Sequence, residues 1–418
     1  MARSKIAVML PYKLIIVLLM FLPGLSWAKS IKVYPGRNSF QKAINAAKRN
    51  DTLLLQPGVY KEHDILINKK LVVIGVHYPV IDGEHTSQII FITADSVILQ
   101  GLQVQNTGRS SMTDMAAIRV QNANHVIVRN NKAFNNTYGI YLQNAGFTVV
   151  QNNIIQANSE DELNSGNGIH AWKCHDLIIT GNDVSGHRDG IYFEFVTTSA
   201  ITGNVSHANV RYGLHFMFSH NDTYTNNRFS DNGSGVAVMY SKGVTMTGNI
   251  FLHNWGDAAY GILLKEIADS KINHNQFLKN TVGLYMESTT NIAVGDNQFN
   301  ENGWGIKVMA SCSGSNFTRN NFTGNSFDVA TNGTTMLNHF SENFWDKYDG
   351  YDLDKNGTGD VPYYPVSVYS VVSERVPTAM ILYRSFLTGI MEQVEKVMPS
   401  IIPDQLKDDT PRMKKWKL

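Results

Sequence analysis

Two methionines near the middle of the chain have the residue type and the spacing of a copper(I) site. Met217 and Met239 occupy equivalent positions of a repeating pattern. His215 lies two residues before the first of them, and Glu194 lies one repeat earlier. Thioether and imidazole ligands suit cuprous copper better than zinc, calcium or iron. Copper contact and a docking or packing role both remain open for the methionines, and His215 is either a ligand or a surface hydrogen-bonding group.

Aromatic residues accompany these candidates and favour a surface that binds another protein. Exposed methionine and aromatic side chains are typical of docking surfaces. The side chains expected to contact a partner here are Tyr192, Phe195, Phe218, His220 and Tyr240.

A second candidate metal site is an acidic segment near the end of the chain. Asp352, Asp354, Asn356 and Asp360 follow the spacing of a calcium loop, with oxygens at alternate positions and glycine at the turn. The twelfth position is Tyr363 instead of the usual glutamate, so the bidentate ligand is missing. Calcium binding and a turn stabilised by aspartate and glycine are the two interpretations.

A glycine followed by an aliphatic residue recurs about every 22 residues and determines how these side chains are positioned. Residues one and three positions after each glycine are apolar and must point inward, so those two and four positions after it point outward. An asparagine follows 14 residues after most of the glycines, at a turn where amides can bond from rung to rung. The pattern predicts an all-β, right-handed parallel β-helix. The repeat glycines are Gly139, Gly168, Gly190, Gly213, Gly235, Gly261, Gly283 and Gly305.

This register brings the copper candidates together. Neighbouring rungs of a parallel sheet lie about 4.8 Å apart, and alternate residues on one face about 6.6 Å apart. Glu194, His215, Met217 and Met239 are therefore expected within one small outward patch.

The two ends of the chain depart from the repeat. Basic residues, a short apolar run and a small-residue cleavage site predict a signal peptide over 1–28, cut after Ala28, and hence export to a bacterial periplasm. The β-helix is expected over 29–343, with an amphipathic helix near Ser39 to Ile44 capping its N-terminal end.

After the solenoid, 344–376 is rich in Asp, Gly and Tyr and is predicted to be a loop. Apolar residues at helical spacing over Pro377 to Met398 predict an amphipathic helix, and a basic tail completes the segment 377–418. We expect this segment to dock, either on the solenoid itself, on a membrane protein or at a lipid surface. Its expected contact residues are Tyr383, Arg384, Leu387 and Met391.

Charge and cysteine content exclude some functions. The net charge of +1 argues against nucleic acid or an acidic polymer as the main partner. Cys174 and Cys312 lie six rungs apart, about 29 Å, which is too far for a disulfide. Two unpaired thiols in an oxidising compartment indicate burial or, less often, a metal role.

The central runs 189–195, 211–220 and 235–241, together with 345–354 and the region 374–385, resemble the NosD family over essentially the whole mature chain. The resemblance implies a soluble β-helix bound to an ABC transporter made of the membrane protein NosY and the ATPase NosF. It also implies a role in supplying copper to nitrous oxide reductase, with the lipoprotein NosL as donor. The chain is then a non-enzymatic assembly factor, peripheral to the membrane through the transporter.

A polysaccharide lyase or epimerase is the competing interpretation, because β-helices commonly host sugar chemistry. Such chemistry needs paired carboxylates, or a base facing a cation, in a groove. The best candidates are His187, Arg188 and Asp189 with Tyr192 and Glu194. A polar cleft with two facing carboxylates would favour the enzyme, whereas a shallow face of methionine, histidine and aromatic residues would favour the assembly factor.

Overall fold

The chain forms a right-handed parallel β-helix in which three long parallel sheets surround one core. The structure is a computed structural model that describes residues 28–110, 112–159, 162, 165–333, 337–382, 385–386, 388–391 and 406–418. Within these residues the three sheets contain 14, 13 and 12 strands, called here sheets A, B and C. The predicted fold class is confirmed, whereas the predicted signal peptide lies, apart from Ala28, outside the described residues.

The strands are numbered β1–β39 in chain order, and each pairs in parallel with its equivalent one rung away. Sheet A contains Ser30–Val33 (β1), Thr52–Leu55 (β2), Val72–Gly75 (β5), Ile98–Gln100 (β8), Ile127–Arg129 (β11), Val149–Gln151 (β14), Ile178–Thr180 (β17), Ala200–Thr202 (β20), Thr223–Thr225 (β23), Thr245–Thr247 (β26), Ala268–Asn273 (β29), Thr290–Gly295 (β32), Ser313–Thr318 (β35) and Leu337–Ser341 (β38). Sheet B contains Val59–Lys61 (β3), Val80–Asp82 (β6), Gln103–Gln105 (β9), Lys132–Phe134 (β12), Ile154–Gln156 (β15), Asp183–Ser185 (β18), Val205–His207 (β21), Arg228–Ser230 (β24), Ile250–Leu252 (β27), Gln276–Leu278 (β30), Gln298–Asn300 (β33), Asn321–Thr323 (β36) and Phe344–Trp345 (β39). Sheet C contains Ile65–Ile67 (β4), Ile90–Ile92 (β7), Ala116–Gln121 (β10), Tyr138–Gln143 (β13), Ile169–Trp172 (β16), Asp189–Glu194 (β19), Tyr212–Met217 (β22), Ser234–Met239 (β25), Tyr260–Lys265 (β28), Val282–Glu287 (β31), Trp304–Val308 (β34) and Phe327–Ala330 (β37).

The core consists of the predicted inward columns. Residues one and three positions after the repeat glycine, such as Ile191 and Phe193, have no exposed surface. On sheet B, a phenylalanine column stacks nearly parallel from Phe277 to Phe299, with ring centroids 4.6 Å apart. Stacked rings on successive rungs bury large apolar area and fix the register.

The asparagine column forms the rung-to-rung ladder that the repeat predicts. The side-chain oxygen of Asn227 accepts hydrogen bonds from the main-chain N–H and the Nδ2 of Asn204, at 2.9 and 3.0 Å. This arrangement satisfies buried amide groups at a bend that has no strand partner. The members are Asn131, Asn153, Asn182, Asn204, Asn227, Asn249, Asn275, Asn297, Asn320 and Asn343.

A second asparagine ladder, which the sequence analysis did not identify, runs along the bend between sheets B and C. Asn209 donates to Asn232 at 2.9 Å in the same geometry. Its signal was present as asparagines 19 residues after the repeat glycines from Gly190 to Gly283 and 20 residues after Gly305. The members are Asn209, Asn232, Asn254, Asn280, Asn302 and Asn325.

The N-terminal end is capped as predicted by an amphipathic helix, Ser39–Ala46 (α1), which buries Phe40 and Ile44. Glu62, from the following rung, accepts hydrogen bonds from the main-chain N–H groups of Phe40 and Gln41 at 2.9 and 3.1 Å. A carboxylate at this position satisfies free N–H groups of the first helical turn and opposes the positive end of the helix dipole.

The prediction of a loop over 344–376 is wrong in two places. Phe344–Trp345 (β39) is a last strand of sheet B, and Val368–Arg375 forms a helix (α2). Ser367 caps this helix by accepting a hydrogen bond from the N–H of Ser370, and the buried Tyr369 packs against Phe327 of the final rung. Local capping and packing thus produce a helix within a polar segment.

Of the amphipathic helix predicted over Pro377 to Met398, the structure describes a 3-10 helix, Pro377–Leu382, and helical residues at 386 and 388–391. Residues 392–398 lie outside the described part. No helix in the described part of the chain is long and apolar enough to cross a membrane.

The basic tail packs on the solenoid, which is one of the alternatives left open for the segment 377–418. Residues 406–418 return to the solenoid, where Asp408 bridges Phe340 and Tyr363. The buried Asp408 carboxylate accepts hydrogen bonds from the main chain and Nδ2 of Asn343, both at 3.0 Å, and from Trp345 Nε1 at 3.1 Å. Asp408 therefore occupies the next position of the first asparagine ladder and closes its C-terminal end.

Candidate functional site

The outward face of sheet C brings the copper candidates onto three adjacent rungs. Glu194 at the end of β19 is in register with Met217 at the end of β22, and Met217 is in register with Met239 at the end of β25. All three side chains are half-buried. The backbone positions that carry the two thioethers therefore lie at the spacing of neighbouring strands, about 4.8 Å.

Tyr192 connects the carboxylate and the first thioether of this column. Its hydroxyl lies 3.3 Å from a Glu194 carboxylate oxygen and 3.7 Å from Met217 Sδ. Burial, followed by the charge of Glu194, raises the pKa of Tyr192, so the phenol keeps its proton at neutral pH. The hydroxyl carries one hydrogen, so it donates to either of these candidate ligands, one at a time.

His215 points outward as predicted, but it is only 5% exposed. Its ring contacts those of Tyr192 and Tyr212 at centroid distances of 5.0 and 4.9 Å. His215 Nδ1 lies 3.6 Å from an oxygen of Asp189, the buried first residue of β19. The structure thus places His215 beside the methionine column, covered by aromatic rings and engaged with a carboxylate.

Asp189 is the centre of a charged network on the same face. Arg211 donates to both of its oxygens, at 2.9 and 2.6 Å, and Arg188 Nε lies 3.8 Å away. Burial opposes ionisation, but the hydrogen bonds from His215 and Arg211 outweigh it and lower the pKa of Asp189. Asp189 is therefore ionised. The sequence did not identify Arg211 as part of this network, although it stands in the run 211–220.

The enzyme candidates do not form a facing pair of free carboxylates. Asp189 is fully buried and held bidentately by Arg211, and Glu194 is half-buried beside the Tyr192 hydroxyl. His187 is buried inside the bend, where it donates its main-chain N–H to Asn209 at 3.1 Å. These positions lack the exposed acid and base that glycoside chemistry requires.

The predicted partner-binding aromatics form a stacked column where sheet C turns toward sheet A. Phe195 stacks on Phe218 and Phe218 on Tyr240, with centroids 5.2 and 4.9 Å apart and planes within 13°. All three have positive φ angles, which cost bulky residues energy. Phe195 is 44% exposed, so the column presents ring edges to solvent. His220 lies two residues beyond Phe218, and its Nδ1 accepts the N–H of Lys242 at 3.1 Å.

Trp172 belongs to this surface, although the sequence analysis did not single it out. It ends β16 in register with Glu194, four residues after a repeat glycine, and Lys173 Nζ lies 4.3 Å from its ring centroid. The outward column on successive rungs is therefore Trp172, Glu194, Met217 and Met239.

In the acidic segment near the end of the chain, the candidate calcium ligands already accept hydrogen bonds. Asp352 accepts from the N–H groups of Asn356 and Gly357 at 3.1 and 2.8 Å, and Asp354 accepts from Asn356. Asp360 likewise accepts a main-chain amide at 2.7 Å. These bonds favour the turn interpretation. Within the described ranges, no three His, Cys, Asp or Glu groups are arranged to hold a metal ion, and calcium stays a prediction.

The candidate docking residues of the C-terminal segment are only partly described. Tyr383, Arg384 and Leu387 lie outside the described residues, whereas Met391 is helical and half-buried. Nearby, Ile381 and Phe386 are 89% and 86% exposed.

Both cysteines are free and buried, as the spacing and compartment indicate. Cys174 and Cys312 are each 2% exposed. Burial raises the pKa of the Cys174 thiol to about 11, which keeps it protonated and unreactive.

The chain is a β-helix protein, and the outward face of its sheet C carries thioether and aromatic side chains. Over residues 45–165 and 156–350, the chain matches the family described as "Periplasmic copper-binding protein (NosD)". The chain belongs to the NosD family.

Two relatives with descriptive names support this assignment. The chain is 27% identical over 353 residues to a protein from Pseudomonas aeruginosa named "Probable ABC transporter binding protein NosD", covering 80% of this chain and 82% of that one. A protein of the same name from Stutzerimonas stutzeri is 26% identical over 359 residues, covering 80% of each.

Similar solved structures share the fold with much lower sequence identity. The A-module of a mannuronan C-5 epimerase from Azotobacter vinelandii superposes with a TM-score of 0.53 at 14% identity, covering 74% of this chain and 89% of that one. The catalytic unit of an α-1,3-glucanase from Streptomyces thermodiastaticus gives 0.57 at 13% identity, covering 76% and 69%. Identities this low show the β-helix alone.

Proposed function

We propose that this chain is a periplasmic accessory protein of an ABC transporter and that it supports assembly of the copper sites of nitrous oxide reductase without catalysing a reaction. The family description and the names of the relatives support the compartment, copper binding and the transporter. The proposed partners are the transporter subunits NosY and NosF, the copper donor NosL and the reductase.

The observation that carries the proposal is the outward pair of thioethers. Met217 and Met239 are in register on adjacent strands, and Glu194 and the Tyr192 hydroxyl lie at one end of the pair. Apolar outward side chains at a solenoid surface serve no packing purpose of their own, whereas thioethers are soft ligands for Cu(I). The copper ion is cargo here, and the two sulfurs would hold it.

An open pair of weak ligands suits transfer better than storage. Two thioethers and one carboxylate leave room for ligands from a donor or acceptor protein. The column Phe195, Phe218 and Tyr240 lies next to the methionines and would form the docking surface for that protein. We propose that the segment with exposed Ile381 and Phe386 contacts the membrane subunit of the transporter.

The test is an anaerobic Cu(I) titration of the mature protein against a competing chelator. The wild type is compared with Met217→Ala/Met239→Ala and with the control Met112→Ala, which removes a 93% exposed thioether far from the column. Tight one-to-one binding that only the double variant loses would support a copper carrier. If the wild type does not compete, copper binding to this chain is wrong, and the same surface is a docking platform.

Adding His215→Ala to the double variant tests the position of these side chains. If all three side chains point outward, the triple variant should still fold and show a cooperative thermal transition. Loss of that transition would contradict this orientation. Because His215 contacts Asp189, its contribution is measured separately from that of the methionines.

A further inference from the structure

The Asp189 network contains more cationic donors than one carboxylate can satisfy. Arg188 and Arg211 precede equivalent strands on adjacent rungs, joined by a main-chain hydrogen bond of 2.8 Å, and both approach Asp189. Arg211 uses both carboxylate oxygens. Two guanidinium groups therefore share one negative charge in a half-buried site.

Two nitrogen atoms in this network are buried without a hydrogen-bond partner. Arg188 Nε has no hydrogen-bond partner, and neither has His215 Nε2. The His215 side chain is 6% exposed, so water hardly reaches it. A buried donor without an acceptor destabilises the folded chain, and more so when it is charged. Such a group in a folded protein needs an explanation, and an ordered water or a bound ion is one of those known.

The surroundings of these donors are aromatic and electropositive. The rings of His170, Tyr192 and His215 follow one another on successive rungs, with centroids 4.8 and 5.0 Å apart. Burial, followed by the charge of Arg188, lowers the pKa of His170 to about 3, so this imidazole stays neutral.

Within the part of the chain that the structure describes, neither Glu194 nor Glu162 accepts a hydrogen bond from Arg188 Nε. Glu194 lies beside the Tyr192 hydroxyl, and the exposed Glu162 acts on Arg211 only through its charge. Arg188 therefore remains available to a ligand that brings its own acceptor oxygens.

We propose that Arg188, beside Asp189 and Arg211, binds an oxyanion on the outward face of sheet C. A planar guanidinium matches the oxygens of a carboxylate or a phosphate, and aromatic walls reduce competition from water. The oxyanion is either free in solution or a carboxylate side chain of a docked protein. This site is distinct from the methionine column and does not depend on copper.

The test uses the NMR signals of arginine side-chain Nε–H groups in the full mature chain with labelled arginine. The Arg188 signal is assigned from its loss in Arg188→Gln. The probes are inorganic phosphate and a hexaglutamate peptide, each titrated at constant ionic strength. Arg228→Gln, in β24 on sheet B, is the control.

We expect the Arg188 signal to shift saturably with at least one probe. Affinity measured by the rise in melting temperature should fall about tenfold in Arg188→Gln, because a charge-assisted hydrogen bond is lost, and should be unchanged in Arg228→Gln. Saturation with phosphate would identify a free oxyanion, and saturation with hexaglutamate alone would identify a carboxylate of a docked protein. If neither probe gives a saturable shift in the wild type, the proposal is wrong, whatever the variants do.

Discussion

Asp222 gives a prediction whose magnitude follows from its position in the bend between sheets C and A. Its side chain is fully buried, and Oδ1 accepts the main-chain N–H of Ser199 at 2.8 Å. Its other oxygen has no partner, and neither has the hydroxyl of the buried Tyr224. Burial raises the pKa of Asp222 from 3.8 to about 8. The folded chain therefore holds a protonated carboxyl group at neutral pH.

The direction of the pH dependence follows from this raised pKa. The stability associated with protonated Asp222 is fully present below pH 4, where the unfolded chain is protonated too, and is lost as the pH rises toward 8. The shift spans about four pKa units, and at about 1.36 kcal/mol per unit the loss is on the order of 5 kcal/mol. Asp222→Asn keeps the acceptor for Ser199 and removes the ionisation.

The assay is chemical denaturation of the wild type and Asp222→Asn at several pH values between 4 and 9. The two proteins should have similar unfolding free energies at pH 4, and the variant should be more stable by several kcal/mol near pH 8, on the order of the loss above. The control Asp257→Asn changes an exposed residue, so its unfolding free energy should depend on pH in the same way as that of the wild type. A constant difference between Asp222→Asn and the wild type across this range would refute the assignment of a neutral buried carboxyl group.

Three further changes test the ladder and the two caps. Asn227→Ala leaves the main-chain N–H and the Nδ2 of the preceding ladder residue without their acceptor, so the unfolding free energy should fall by about 2–4 kcal/mol in denaturation. Asp408→Ala removes the acceptor of Asn343 and Trp345, and limited trypsin digestion should then cleave the tail that the wild type protects. Glu62→Ala leaves the first turn of α1 uncapped and should lower the unfolding free energy by about 1–2 kcal/mol, whereas an unchanged midpoint would contradict its capping role.

The sequence predicted the solenoid well because its physical cause repeats. On each rung the backbone passes close to that of the next rung, and a buried side-chain amide is needed at the bend. Each central rung therefore has a glycine equivalent to Gly213 and an asparagine equivalent to Asn227. A Cβ on Gly213 would lie 2.8 Å from the carbonyl oxygen of the next repeat glycine, which explains that column. The pattern also predicted that Met217 and Met239 are in register, because neighbouring strands pair through equivalent positions of the repeat.

The features that the sequence did not predict depend on contacts that occur once. The repeat places Tyr192 beside His215 on the adjacent rung, but the covering of His215 also depends on its contacts with Tyr212 and Asp189, which the repeat alone does not predict. The tail returns because Asp408 substitutes for an asparagine 65 residues after the last ladder position, far outside any period. Such non-local pairings appear only when the chain is assembled.

If Met217 and Met239 bind Cu(I), as we propose, the position of the sulfur atoms favours transfer of copper over its retention. Thiolates are strong ligands for Cu(I), yet Cys174 and Cys312 both face the core, and burial raises the pKa of Cys174 to about 11. The outward sulfur is confined to thioethers, which remain neutral and bind more weakly. Strand pairing fixes the spacing of the backbone positions that carry Met217 and Met239, and their outward side chains would leave one side of a bound ion open. A carrier that must release its metal to another protein needs this combination of rigid spacing, weak ligands and an open side.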